Sequence, residues 1–230
     1  FDIIHLDPFK VTKDLDYAAE LTIMHLEYLN SLNNKLYFEI GTEEGIRKYS
    51  YKEFEYFLSK VCGGLRQQTF KQILYVVVQG GTLVKAGGNI GSSDSLSEYI
   101  NVCKSFDKMS KEHNGDYISL DAIKNKFTLG LSALNIAPEF GTIESELYLN
   151  HFSEQDKELF FSLVLNSNRW QKWFSASFKP EDNKEQLIKM CGHYMFNDLS
   201  FIEIQKKYNL NDLILDTLEQ KILSIAQQTF

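Results

Sequence analysis

"ILYVVVQGG" (Ile73–Gly81) is an unbroken apolar run rich in β-branched residues that ends in a polar side chain and two glycines. A strand covered on both faces reads this way, and such strands belong to parallel sheets. The same order recurs on either side. Upstream, "FDIIHLD" (Phe1–Asp7) stops at Pro8, and a helix is expected from about Asp14 to Leu32 with Leu15, Ala18, Ala19, Ile23, Leu26 and Leu29 on one stripe. "KLYFEIGT" (Lys35–Thr42) is followed by "SYKEFEYFLSKV", where Ser50 and Glu53 have the spacing of a capping box. Downstream, the loop-like "GGTLVKAGGNIGSSDS" leads to a helix over about Leu96–Phe106. "KMSKEHNGDY" leads to a helix opened by Ser119, and "LGLSALNIAPEFGTIESE" makes a fifth unit.

Five strand–loop–helix units in series, each with polar residues at the carboxyl end of its strand, predict an α/β fold of the (β/α)8 barrel type, whose active sites lie on that rim. Five units do not close eight strands. Either the chain holds strands four to eight and the first three lie elsewhere, or the barrel reading fails; an abrupt start in a strand, without Met, favours the first. From about His151 the alternation stops. "SEQDKELFFSLVLN", "NRWQKWFSASF", "NKEQLIKMCGHYMF" and "LNDLILDTLEQKILSIAQQ" read as helices. The expected organisation is a barrel portion over residues 1–150 and a helical extension over 151–230.

A chain of 230 residues with 43% hydrophobic residues can bury a substantial core. Its formal net charge of -7 and pI near 5.3, with no Lys/Arg stripe, exclude a general nucleic-acid or anionic-membrane surface. No apolar run reaches the length of a membrane span, and the N-terminus lacks the pattern of a secretory signal, so the cytoplasm is the expected compartment. Cys62, Cys103 and Cys191 form no CxxC pair, and an odd number leaves one unpaired; reduced thiols are expected.

The expected strand ends carry His5 and Asp7; Glu39, Glu43 and Glu44; Gln79, Gly80 and Gly81; Glu112, His113, Asn114 and Asp116; and Asn135 and Glu139. Imidazoles and carboxylates converging on one rim suit a divalent-metal or acid/base site. Plainer roles stand beside these. His5 also fits an interior histidine bonded to a carbonyl, Asp7 before Pro8 a turn residue, and Glu43 and Glu44 a helix N-terminus. Gly80, Gly81, Gly87, Gly88 and Gly91 can present amides to a phosphate, although no GxGxxG or Walker pattern is present. His25, His193, Trp170 and Trp173 read as packing residues.

"IIHLDPFK", "FEIGTEEG", "YVVVQGGT", "SKEHNGDY" and "ALNIAPEFGT" together resemble, in order and approximate spacing, strands four to eight of the class II, metal-dependent sugar-bisphosphate aldolases. Within them the chain is most similar to the accessory, non-catalytic subunit branch of the tagatose-bisphosphate aldolases. The resemblance implies a zinc ion that polarises the carbonyl of a ketose phosphate. It makes His113 a metal ligand and sets Glu43 where the catalytic branch has a histidine; the accessory branch also carries Glu there. The implied site has Asp7 or Glu112 as proton carrier, and His5, Gln79, Gly80, Gly81, Asn114, Asp116 and Asn135 around a phosphorylated sugar. The implied activity is aldol cleavage or condensation of the tagatose- or fructose-bisphosphate type. The alternative is an accessory subunit that stabilises or activates a catalytic aldolase partner. A catalytic aldolase subunit or a second copy of the chain is the expected protein partner.

Overall fold

A computed structural model of the chain describes residues 2–85, 88–89 and 95–228. The chain divides into two compact units: residues 1–83, 90–115 and 124–135, and residues 84–89, 116–123 and 136–230. The first holds strands β1 (Ile3–Leu6), β2 (Tyr37–Ile40) and β3 (Ile73–Val78). A short antiparallel hairpin, β4 (Val84–Lys85) and β5 (Gly88–Asn89), belongs to the second unit; β6 (Met109–Glu112) and β7 (Ala133–Leu134) return to the first.

The sheet runs β1-β2-β3-β6-β7 and every pairing is parallel. Spatial order follows chain order without reversal. Right-handed crossovers that always step the same way put all their helices on one face, whereas a doubly wound sheet reverses its order and covers both. The arrangement is an arc of a (β/α) barrel, as expected.

Strand alternation divides the side chains accordingly. Ile4, Leu6, Phe38, Ile40, Val76 and Val78 turn to the helices α1 (Leu15–Leu32), α2 (Tyr51–Gly64), α3 (Gln67–Lys71) and α4 (Leu96–Ser105), packing with Ala18, Leu26, Phe54, Phe57, Val61, Ile100 and Cys103. Each such Val, Leu or Phe contributes about 1.5–3 kcal/mol on burial. The register puts His5, Glu39 and Tyr75, then Val77 and Lys111, on the opposite face. Val77 is fully buried yet outside the helix-side core, as alternation requires.

The expected helix starts are present. Asp14 accepts from the Tyr17 amide at 2.8 Å, and Ser50 with Glu53 makes both halves of its capping box; such a cap is worth about 1 kcal/mol. The Ser119 hydroxyl accepts from the Ala122 amide at the start of α5 (Leu120–Thr128), the helix through which the division between units runs. The three cysteines are thiols, and burial pushes those of Cys103 and Cys191 up to about 12.

The second unit contains α6 (Pro138–His151), α7 (Glu154–Asn166), α8 (Lys184–Cys191), α9 (Leu199–Gln205) and α10 (Asn211–Ala226). Its core is aromatic: Tyr148, Phe152, Phe160 and Phe201 are buried with ring centroids 4.6–6.4 Å apart. The helical unit takes up the chain from Ile136 rather than from residue 151, because α6 packs against α8 and α10. "NRWQKWFSASF" forms only a 3-10 turn at Arg169–Lys172, not the expected helix. Asn168 ahead of it adopts a left-handed conformation (φ 55°), which ends helical continuity after α7. No described helix is long and apolar enough to cross a membrane.

Candidate metal centre

His5 and Glu39 are register partners on β1 and β2, and alternation points both away from the helices. Lys111 lies on the same face of β6, and His113 follows just beyond the strand end. Glu39 is the hub. Its Oε1 lies 2.9 Å from His5 Nδ1 and 2.7 Å from His113 Nε2, and its Oε2 accepts from Lys111 Nζ at 2.5 Å. β1 and β6 are three strand spacings apart, about 14 Å in a flat sheet. The two imidazole centroids are only 5.1 Å apart. The sheet must curl toward this face, so barrel curvature makes the site.

Glu39 is 3% exposed. Burial pushes its pKa up, but hydrogen bonds from His113, His5 and Lys111, together with the Lys111 charge, outweigh that and hold the carboxyl well below the usual range. The hub is therefore an anion. One nitrogen from each histidine and one Glu39 oxygen lie within 4.8 Å of one another, and among the described residues this is the one such convergence of three His, Cys, Asp or Glu side chains. Two imidazoles and one carboxylate are a donor set that can hold a divalent ion, and three protein ligands leave a position open for water or substrate. The residues present fit such an ion.

Of the expected metal ligands, His113 is at this centre, and the carboxylate beside it is Glu39 rather than Glu43. Glu43 instead accepts a hydrogen bond from Asn114 Nδ2. His5, expected around the substrate, stands with His113. Asp7 is engaged in its own turn: it accepts from the Phe9 amide at 3.1 Å and the Thr42 hydroxyl at 3.0 Å.

Glu112 turns to the other face of the sheet. It is 1% exposed, pairs with the buried Lys126 at 2.8 Å, and has the Thr82 hydroxyl 2.8 Å away. Gly80 must be glycine for this reason, since a Cβ there would lie 2.2 Å from the Glu112 carboxylate. Enclosed in this way, Glu112 has no route to a proton acceptor on the Glu39 face.

Gln79 is buried and braces the loop after β2: it accepts from the Tyr49 amide and donates to the Arg47 and Thr42 carbonyls. Gly81 (φ 84°) and Asn114 (φ 58°) turn the rim in left-handed conformations. The Asn135 carbonyl accepts from the Gly115 amide. In the second unit Asp116 is 2% exposed and accepts from the amides of Ala137 and Glu139, capping α6. Gly87 and Gly91 lie outside the described residues, and Gly88 is in the hairpin.

Glu39 and Lys111 both stand in motifs recognisable from the sequence, "FEIGTEEG" and "SKEHNGDY", yet neither motif assigns them a role. The signal was the period of two. Glu39 stands between Phe38 and Ile40, so alternation sets it opposite the apolar face, and Lys111 lies two residues ahead of His113 and shares its face.

No family model matches the chain, and no curated protein matches it in sequence. Solved structures match in fold. A probable tagatose 6 phosphate kinase from Sinorhizobium meliloti 1021 superposes with a TM-score of 0.61 at 16% identity, covering 86% of this chain and 57% of that one. A fructuronate-tagaturonate epimerase from Cohnella laeviribosi gives 0.57 at 13% identity, covering 93% and 47%. The chain thus spans about half the length of the proteins it matches, and at these identities the likeness is one of fold.

Proposed function

We propose that this chain is the site-bearing part of a class II aldolase-like enzyme of carbohydrate metabolism, cleaving or forming a carbon–carbon bond in a phosphorylated sugar with the help of a divalent metal, zinc by preference. The observation that carries this reading is the convergence of His5, Glu39 and His113 on one face of a curled parallel sheet. These three residues would hold the ion, and when bound it would polarise the substrate carbonyl and stabilise the enediolate left by cleavage. Glu39 supplies the one permanent negative charge of the set, while the histidines orient it through the same oxygen. The left-handed rim positions Gly81 and Asn114 would shape the loops that meet the sugar's hydroxyls and phosphate. The two matched proteins are named for tagatose 6-phosphate and for fructuronate and tagaturonate, which agrees with a six-carbon ketose substrate.

A second reading is favoured by Glu43. By the resemblance to class II aldolases it would stand where the catalytic branch has a histidine, and it is held by Asn114 instead of joining the centre. On that reading the chain supports a catalytic aldolase partner and does no chemistry itself.

The test is elemental analysis and activity of the full protein, wild type beside His113→Ala. Stoichiometric zinc in the wild type, lost in the variant together with release of a triose phosphate from a ketose bisphosphate, is the expected result. Zinc-free wild-type protein that raises the activity of an added catalytic aldolase subunit would replace the first reading by the second.

A further inference from the structure

We infer that Lys111 is the second cation of this centre: it holds Glu39 when no metal is bound, is released when a divalent ion takes that carboxylate, and then faces the oxyanion of a ligand seated at the open position. The inference rests on the metal-centre reading above.

The two oxygens of Glu39 are divided, with both histidines on Oε1 and Lys111 alone on Oε2. Glu39 is the only acidic partner of Lys111 among the described residues. A divalent ion on His5, His113 and Glu39 Oε1 draws off the charge of the carboxylate and repels the nearby ammonium, so the pair between Lys111 and Oε2 weakens even though they are on different oxygens. Lys111 has nowhere comparable to go. Beneath it lies the Tyr75 ring, 5.4 Å from Nζ to its centre, and an aromatic face is a weaker partner than a carboxylate.

The backbone of Lys111 is fixed in the ladder between Val77 and Ala133, while its four-carbon stem leaves Nζ free to swing. It is also the only lysine or arginine in the five strands of the sheet. Lys126, the one fully buried lysine among the described residues, is committed to Glu112 on the opposite face. A released, half-buried ammonium beside a metal with an open position suits a small ligand carrying two oxygens on adjacent carbons, such as a hydroxycarbonyl compound or its enediolate.

Calorimetric titration tests this in two arms on chelator-stripped protein: zinc into wild type, Lys111→Met and Lys111→Arg, then oxalate into each zinc-loaded form. Lys111→Met is expected to bind zinc about tenfold tighter, because a competing charge is gone, and its zinc form to bind oxalate about tenfold more weakly. Lys111→Arg should stay near wild type in both arms. Unchanged or weakened zinc binding in Lys111→Met would make Lys111 a mere prop for Glu39 and overturn the inference, as would unchanged oxalate affinity. Zinc affinity unaltered in His113→Ala would overturn the centre and this inference with it. A protein that shows both Lys111 effects and cleaves no ketose phosphate leaves the inference standing and removes only the activity.

Discussion

The sheet unit and the helical unit bury polar groups for opposite ends. In the first, Glu39 draws two histidines and a lysine onto one carboxylate at the open face of the sheet. In the second, buried acids serve geometry: Asp116 caps α6, and Asp156 takes the Tyr208 hydroxyl and Lys207. A strand shows every second side chain to the face its helices do not cover, so a row of strands can assemble a polar cluster there. A helix in a bundle offers its inward stripe to a core, and here that stripe is aromatic.

The hardest strike at this contrast is on the buried pair of the sheet unit. Lys126→Met leaves Glu112 without its partner in a site from which solvent is excluded, and should cost about 3–5 kcal/mol in chemical denaturation. The double variant Lys126→Met, Glu112→Gln should recover most of it. If the single variant is as stable as wild type, Glu112 is not the enclosed charge described here and regains its claim as a proton carrier.

In the helical unit, Phe201→Ala removes a fully buried ring that meets Tyr148, Phe152, Phe160 and Phe196. A loss of about 3–5 kcal/mol is expected, with zinc affinity per folded molecule unchanged. A fall in zinc affinity would erase the separation between a unit that packs and a unit that binds.

The smallest effect is one of pH. His193 is held below the ordinary histidine pKa, first by burial and then by the charges of Lys172 and Arg169. The unfolded chain therefore takes up this proton before the folded one, so stability is present above about pH 6.5 and falls as pH drops below it. Glu39 is shifted down from 4.5, so its contribution persists throughout that window and is lost only under stronger acid. Between pH 7 and 5 the helical unit should weaken while the centre's carboxylate does not. Both tryptophans, Trp170 and Trp173, belong to that unit, and Trp173 donates to the Tyr194 hydroxyl at 3.0 Å. Fluorescence-detected melting should therefore show the slope, and His193→Gln should flatten it.

Much of the fold was legible because it depends on local pattern. The apolar run Ile73–Val78, the capping box Ser50–Glu53 and the stripe Leu15–Leu29 each state their element within a few residues. The residues around Trp170 misled because amphipathic spacing does not reveal a left-handed residue such as Asn168 just before it. Among site residues, His5 and His113 could be named from their strand ends. Glu43 was preferred to Glu39 because a resemblance in motif does not say which carboxylate of "FEIGTEEG" turns inward.

By itself the sequence determined the parallel strand-and-helix order, the aromatic helical stretch and a set of candidate imidazoles and carboxylates, since periodicity and capping act over one or two turns. Only the tertiary structure decided which of them meet. Register set His5 beside Glu39, alternation sent Glu112 to the far face, and the curl of the sheet brought His113 and Lys111 across the intervening strand to a single carboxylate. Those are contacts between residues 34 to 74 positions apart, and no local pattern encodes the distance between them.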